Sequence, residues 1–136
     1  AMSQPAELIL ESLDRVSEIV DDPSAPVYER LFETYPDFKK LFRFEGNGDL
    51  ARQNMFQVTV VALMEHLEGR AASANIVKTE RMNHSHIGVP NADFDRYYEV
   101  VRDTFRDILG DEWTPETQAA WDEAIAGLIS ATPYEG

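Results

Sequence analysis

Apolar residues return along this chain at steps of three and four, the spacing of one face of a helix. Ile9, Leu13, Val16 and Val20 make one stripe, and Phe56, Val60, Leu63 and Leu67 make a second. Phe94, Tyr98, Val101, Phe105 and Ile108 make a third. The last, Trp121, Ala124 and Leu128, follows Thr114, which can cap a helix, and Pro115, which suits a first helical turn. No segment alternates as a strand would, so the pattern predicts an all-α fold. Breaks fall at Asp21-Asp22-Pro23, between Glu45 and Asp49, at Gly88-Val89-Pro90 and at Gly110-Asp111. Pro36 closes the run from Val27 to Tyr35, because a proline cannot continue the helix before it. Seven helices are expected, over residues 5–20, 25–35, 37–42, 50–68, 73–84, 91–109 and 115–131. Their unequal lengths and the proline corner fit crossed-helix packing better than a simple four-helix bundle.

Composition narrows the classes. A chain of 136 residues, 43% of them apolar, suits one globular domain over 1–136, with a helical core from about 6 to 131. There is no repeat, no internal linker and no Gly-rich nucleotide loop. No apolar run approaches a membrane span and no signal-peptide pattern opens the chain, so the expectation is a cytoplasmic protein without a membrane partner. With no cysteine, disulfides and thiolate metal sites are excluded. Twenty-five acidic residues against 12 basic ones give a formal charge of −13, which repels nucleic acid and anionic membranes.

Metal-ligating chemistry is sparse. The histidines are His66, His84 and His86. His66 falls near the end of the long 50–68 helix, whereas His84 and His86 stand just ahead of Gly88-Val89. Arg52 and Phe56, four apart, project from one helical face. Lys39, Lys40 and Arg43 cluster in an otherwise acidic chain.

Three stretches together resemble the globin family. The run from Val27 through Tyr35-Pro36 to Leu41-Phe42 resembles the passage from the second globin helix to a haem-packing phenylalanine. His84 through Val89 resembles the proximal histidine and the turn after it. Leu109 to Thr114, with Ala119-Ala120-Trp121, is similar to the closing stretch of bacterial globins and flavohaemoglobins. The likeness covers residues from about 6 to 131. Phe42 lies 14 residues after Tyr28, Arg52 lies 10 after Phe42, and His84 lies 32 after Arg52, as in the flavohaemoglobin-like branch.

The resemblance implies a globin fold of helices packed three over three around haem b, with the iron on His84. It implies cofactor contacts from Phe42, Val89, Phe94, Lys40 and Phe56, and a distal pocket of Tyr28, Arg52, Gln53 and Phe56. The ligand would be a diatomic gas, O2, CO or NO, and Tyr28 could donate to it from its hydroxyl. Lys39, Lys40 and Arg43 would offset the charge of the haem propionates. Four residues before His84 the family favours an apolar side chain, and here stands Glu80; His86 as ligand would put Met82 there instead. Flavohaemoglobins carry a tyrosine ten residues after the proximal histidine, where this chain has Phe94, and continue past the point where this sequence stops at Gly136. Oxygen storage, delivery or scavenging is therefore the leading expectation. The alternatives are an NO dioxygenase or peroxidase-like enzyme served by a separate reductase, and a gas sensor or haem-free interaction globin. A monomer or a homodimer is expected.

Overall fold

Helix ends in the computed structural model fall close to the chain's punctuation. It describes residues 4–42, 48–69, 72–86 and 88–131, with the side chains of 40–42, 48–51, 72 and 91 outside that description. Among the described residues there are six α-helices and no strand: α1 (Gln4–Ile19), α2 (Ser24–Thr34), α3 (Gly48–Leu67), α4 (Ala72–His86), α5 (Asn91–Leu109) and α6 (Pro115–Ala131). Tyr35, ahead of Pro36, leaves the helical region with φ −130° and ψ 76°, while its N–H still reaches the Leu31 carbonyl at 2.7 Å. The corner that follows is a 3-10 helix, Pro36–Phe42, where an α-helix over 37–42 is the sequence expectation. Seven residues are too few to repay α-helix nucleation, and the tighter i→i+3 bond from Phe38 to Tyr35 closes the turn instead. A further 3-10 turn, Gly110–Glu112, links α5 to α6. Thr114 accepts the Thr117 N–H at 3.1 Å, so the start of α6 is held by the cap its sequence offers.

The stripes meet in one core. α1 packs on α6 and α5, α2 on α5 and α3, and α3 on α4 and α6. Trp121, fully buried, lies edge-on to Phe105 with ring centroids 5.6 Å apart, and its indole N–H donates to Ser12 Oγ at 3.0 Å. His66, on the last turn of α3, lies against Gly127 of α6, where any Cβ would come within 2.3 Å of the imidazole. No helix among the described residues is long and apolar enough to cross a membrane.

Among the described residues, an ionic contact stands inside this core. Arg81 of α4 donates to Asp95 of α5 at 2.5 Å, and both side chains are buried. The same guanidinium lies 4.9 Å from the centre of the Phe94 ring. Three tyrosines are buried as well: Tyr28 of α2 and Tyr97 and Tyr98 of α5. Burial pushes all three phenols above the usual range, so they stay protonated donors.

These contacts yield three expectations. Ser12→Ala deprives the buried Trp121 N–H of its acceptor and should lower stability by about 1–3 kcal/mol, read as a fall in the urea midpoint at unchanged slope. Asp95→Ala leaves Arg81 as a buried charge without its carboxylate and should destabilise by about 3–5 kcal/mol in the same assay. The unfolded chain ionises its tyrosines near pH 10, below the raised values of the folded state. Their contribution is therefore fully present below that pH and is lost as pH rises toward the folded-state values. Urea midpoints measured through the alkaline range should fall steeply, and Tyr98→Phe should make the decline shallower.

Candidate functional site

A cavity of about 430 Å³ opens between α3, α4 and α5. That volume falls within the range of small-molecule and cofactor sites. Met55, Val58, Thr59 and Ala62 of α3 supply one wall. Val77, Glu80 and His84 of α4 supply another, and Phe94, Tyr97 and Tyr98 of α5 a third, while Leu31 and Phe38 contribute from α2 and the proline corner. Each helix presents this wall at steps of three and four, which is why Val77, Glu80 and His84 share one face.

His84 is the imidazole on this wall, and its orientation is fixed by the backbone. Nδ1 lies 2.7 Å from the Glu80 carbonyl oxygen. A carbonyl only accepts, so Nδ1–H donates and the neutral ring keeps its lone pair on Nε2, on the opposite side of the ring. Phe94 meets the imidazole edge-on, with centroids 5.1 Å apart, and restricts its rotation. The Glu80 carboxylate stands 3.9 Å from Nδ1. Just beyond His84 the helix stops. Gly88 takes φ +92°, a backbone region that favours glycine, and the Val89 N–H returns to the His84 carbonyl at 2.9 Å. Val89 is thereby turned into the cavity.

No cluster of three His, Cys, Asp or Glu side chains that could hold a bare metal ion occurs among the described residues. A single imidazole on an apolar wall suits a different task, the axial ligation of an iron already held by a macrocycle. The cavity, its phenylalanine and the fixed Nε2 fit haem on these grounds.

Residues singled out from the sequence divide between this cavity and other places. His84, Val89 and Phe94 come together on its wall. His86 and Met82 are exposed. Phe56 is half-buried and packs on Phe105 at 6.1 Å, and it does not line the cavity. Gln53 is exposed, its amide 3.3 Å from the Asp22 carboxylate. Tyr28, Arg52 and Lys39 line a second, smaller cavity of about 220 Å³ with Asp22, Glu29 and Phe32. There the Arg52 guanidinium sits 5.2 Å from the Phe32 ring centre and 6.0 Å from that of Tyr28. The side chains of Phe42, Lys40 and Arg43 lie outside the described residues.

The α3 wall thus runs through Met55, Thr59 and Ala62, three residues on from the expected Arg52 and Phe56. Tyr97 and Tyr98 are cavity residues that the sequence reading did not single out as such. Tyr97 is the more telling, because its hydroxyl donates to that of Tyr28 at 3.3 Å. The only available signal for it was the paired tyrosine on the buried stripe of α5.

Comparison with known proteins identifies the family. The chain is 27% identical over 135 residues to the rice (Oryza sativa subsp. japonica) protein named anaerobic nitrite reductase NSHB5, covering 95% of this chain and 91% of that one. It is 24% identical to leghemoglobin-1 of Lupinus luteus, over 89% of this chain and 86% of that one. A flavohemoprotein of Rhizobium meliloti (strain 1021) matches at 24% identity over 74% of this chain, which spans 25% of its length. The globin family model matches residues 25–132, and the chain belongs to the globin family.

Proposed function

We propose that this globin binds one haem b through His84 Nε2 and takes a diatomic gas on the opposite face, in oxygen storage, delivery or scavenging. The observation that carries the proposal is the His84 ring on the cavity wall, with Nδ1–H committed to the Glu80 carbonyl. The haem, when bound, supplies a metal centre with one coordination position left for a gas ligand. The chain's own residues do the rest. The α4 backbone holds the imidazole as the neutral tautomer whose Nε2 can ligate, and the Glu80 carbonyl that accepts from Nδ1–H supports that role. Phe94 holds the ring's orientation, and the apolar side chains of Val77, Val89, Leu31 and Ala62 keep water from the site.

A second reading has one observation in its favour. The rice relative that covers nearly the whole chain is named as a nitrite reductase, and the rhizobial one as a flavohemoprotein. On that reading the chain would work as an enzyme with a separate reductase. Phe94, which has no hydroxyl to bond toward a carboxylate behind the histidine, favours gas binding instead.

Absorption spectra of the protein reconstituted with haem, ferric and ferrous, with and without carbon monoxide, test the proposal. A five-coordinate ferrous spectrum that converts fully with carbon monoxide is expected. His84→Ala should abolish stable haem retention, and His86→Ala should leave it nearly intact; the reverse pattern would move the ligand to His86. Sustained NADH-driven consumption of nitric oxide or nitrite by the haem-loaded chain supplied with a separate reductase would favour the enzyme.

A further inference from the structure

Three hydroxyl groups converge beside the cavity, on three different helices. Tyr97 of α5 and Thr59 of α3 both line it, whereas Tyr28 of α2 lines only the smaller cavity next to Arg52. The Tyr97 O–H donates to the Tyr28 oxygen at 3.3 Å, and the Thr59 hydroxyl stands beside that of Tyr97. Tyr97 therefore stands between Tyr28 and the space in which a ligand would lie. The Thr59 hydroxyl donates to the Met55 carbonyl at 3.0 Å within its own helix, which leaves Tyr97 the better placed donor.

From this placement we propose that Tyr97 is the hydroxyl that meets a polar diatomic ligand in the large cavity, and that Tyr28 acts behind it as a positioning residue. The inference rests on the haem site proposed above. A phenol hydrogen rotates about its C–O bond, so the Tyr97 proton has Tyr28, Thr59 and an incoming ligand as alternative acceptors. When a ligand of partial negative charge arrives, the Tyr97 O–H turns to it. The Tyr28 O–H then donates to the Tyr97 oxygen, and the second bond strengthens the first. Tyr97 is 5% exposed and Tyr28 is 1% exposed, so bulk water has little access to the pair. Both rings are fixed by neighbours: Tyr28 against Tyr97 at 5.9 Å and against Phe32 at 5.9 Å, and Tyr97 edge-on to Tyr98 at 6.5 Å.

Oxygen and carbon monoxide separate the two tyrosines, since oxygen carries more negative charge than carbon monoxide when it is held at a ferrous haem. In the haem-reconstituted full chain, Tyr97→Phe should speed oxygen dissociation about tenfold or more, with carbon monoxide dissociation changed far less. Tyr28→Phe should accelerate oxygen release by a smaller factor, because Tyr97 keeps its proton. In the unmutated protein, the infrared stretch of bound carbon monoxide should report a hydrogen-bond donor and should shift toward the value of an apolar pocket in Tyr97→Phe. Unchanged oxygen release in Tyr97→Phe alongside acceleration in Tyr28→Phe would overturn the assignment and make Tyr28 the direct donor. An apolar-pocket stretch in the unmutated protein would overturn it without recourse to any variant. Failure of the unmutated chain to take up haem is a separate result, read in the absorption spectrum, that would remove the site itself.

Discussion

The buried pairing of Arg81 with Asp95 is the contact on which the geometry of the site depends. Helix α4 is poor in apolar residues: of its fifteen, Val77 is fully buried and Ile76 partly so. A helix of this kind cannot fix its own rotation against α5 by burying a wide apolar face. The ion pair does so instead. It lies three residues before His84 on one helix and one residue after Phe94 on the other, so the contact that registers the helices also brings the phenylalanine edge to the imidazole. Such pairs add little net stability because desolvation offsets most of the attraction, yet a mispaired alternative would leave two buried charges apart. The value of this one lies in excluding other rotations of α4.

Within that frame the polar groups at the centre of the cavity wall have partners. Nδ1–H of His84 goes to a carbonyl, the Thr59 hydroxyl to the Met55 carbonyl, and the tyrosine hydroxyls to one another. A buried polar group without a partner costs free energy, so the wall admits hydroxyls only where they can satisfy each other. The same economy leaves them ready for a ligand, because replacing one hydroxyl acceptor by another needs only rotation about a C–O bond. Raised phenol ionisation keeps Tyr28 and Tyr97 as donors at neutral pH.

Helix type and order were legible in the sequence because three-and-four spacing reports them directly. The α4–α5 corner was legible as well: Gly88 marks the positive φ, and His84, Val89 and Phe94 lie within a short stretch whose geometry is local. The cavity face of α3 was not. Its strongest apolar stripe, through Phe56 and Leu63, is turned to the core beside Phe105, and the cavity receives Met55, Thr59 and Ala62, a weaker and partly polar set. Counting ten residues from Phe42 to Arg52 also crosses the sequence break between Glu45 and Asp49, and a residue count across a break fixes no rotation of the helix that follows. Tyr97 was hidden for a related reason. Beside Tyr98 on a buried stripe it reads as core, and only the tertiary approach of α2 gives its hydroxyl a partner.

Glu80 shows how side-chain identity and backbone role can separate. By sequence it departs from the apolar residue favoured four positions before a proximal histidine. In the structure the atom that orients the imidazole is the Glu80 carbonyl oxygen, which any residue at that position of an α-helix would present. The side chain is then free to be acidic, and its carboxylate at 3.9 Å supplies negative charge behind the ring. A phenylalanine ten residues after the histidine offers no hydroxyl through which an acid could act on the imidazole. The ring is therefore oriented from the α4 backbone, and the departure of Glu80 from the family pattern leaves that geometry untouched.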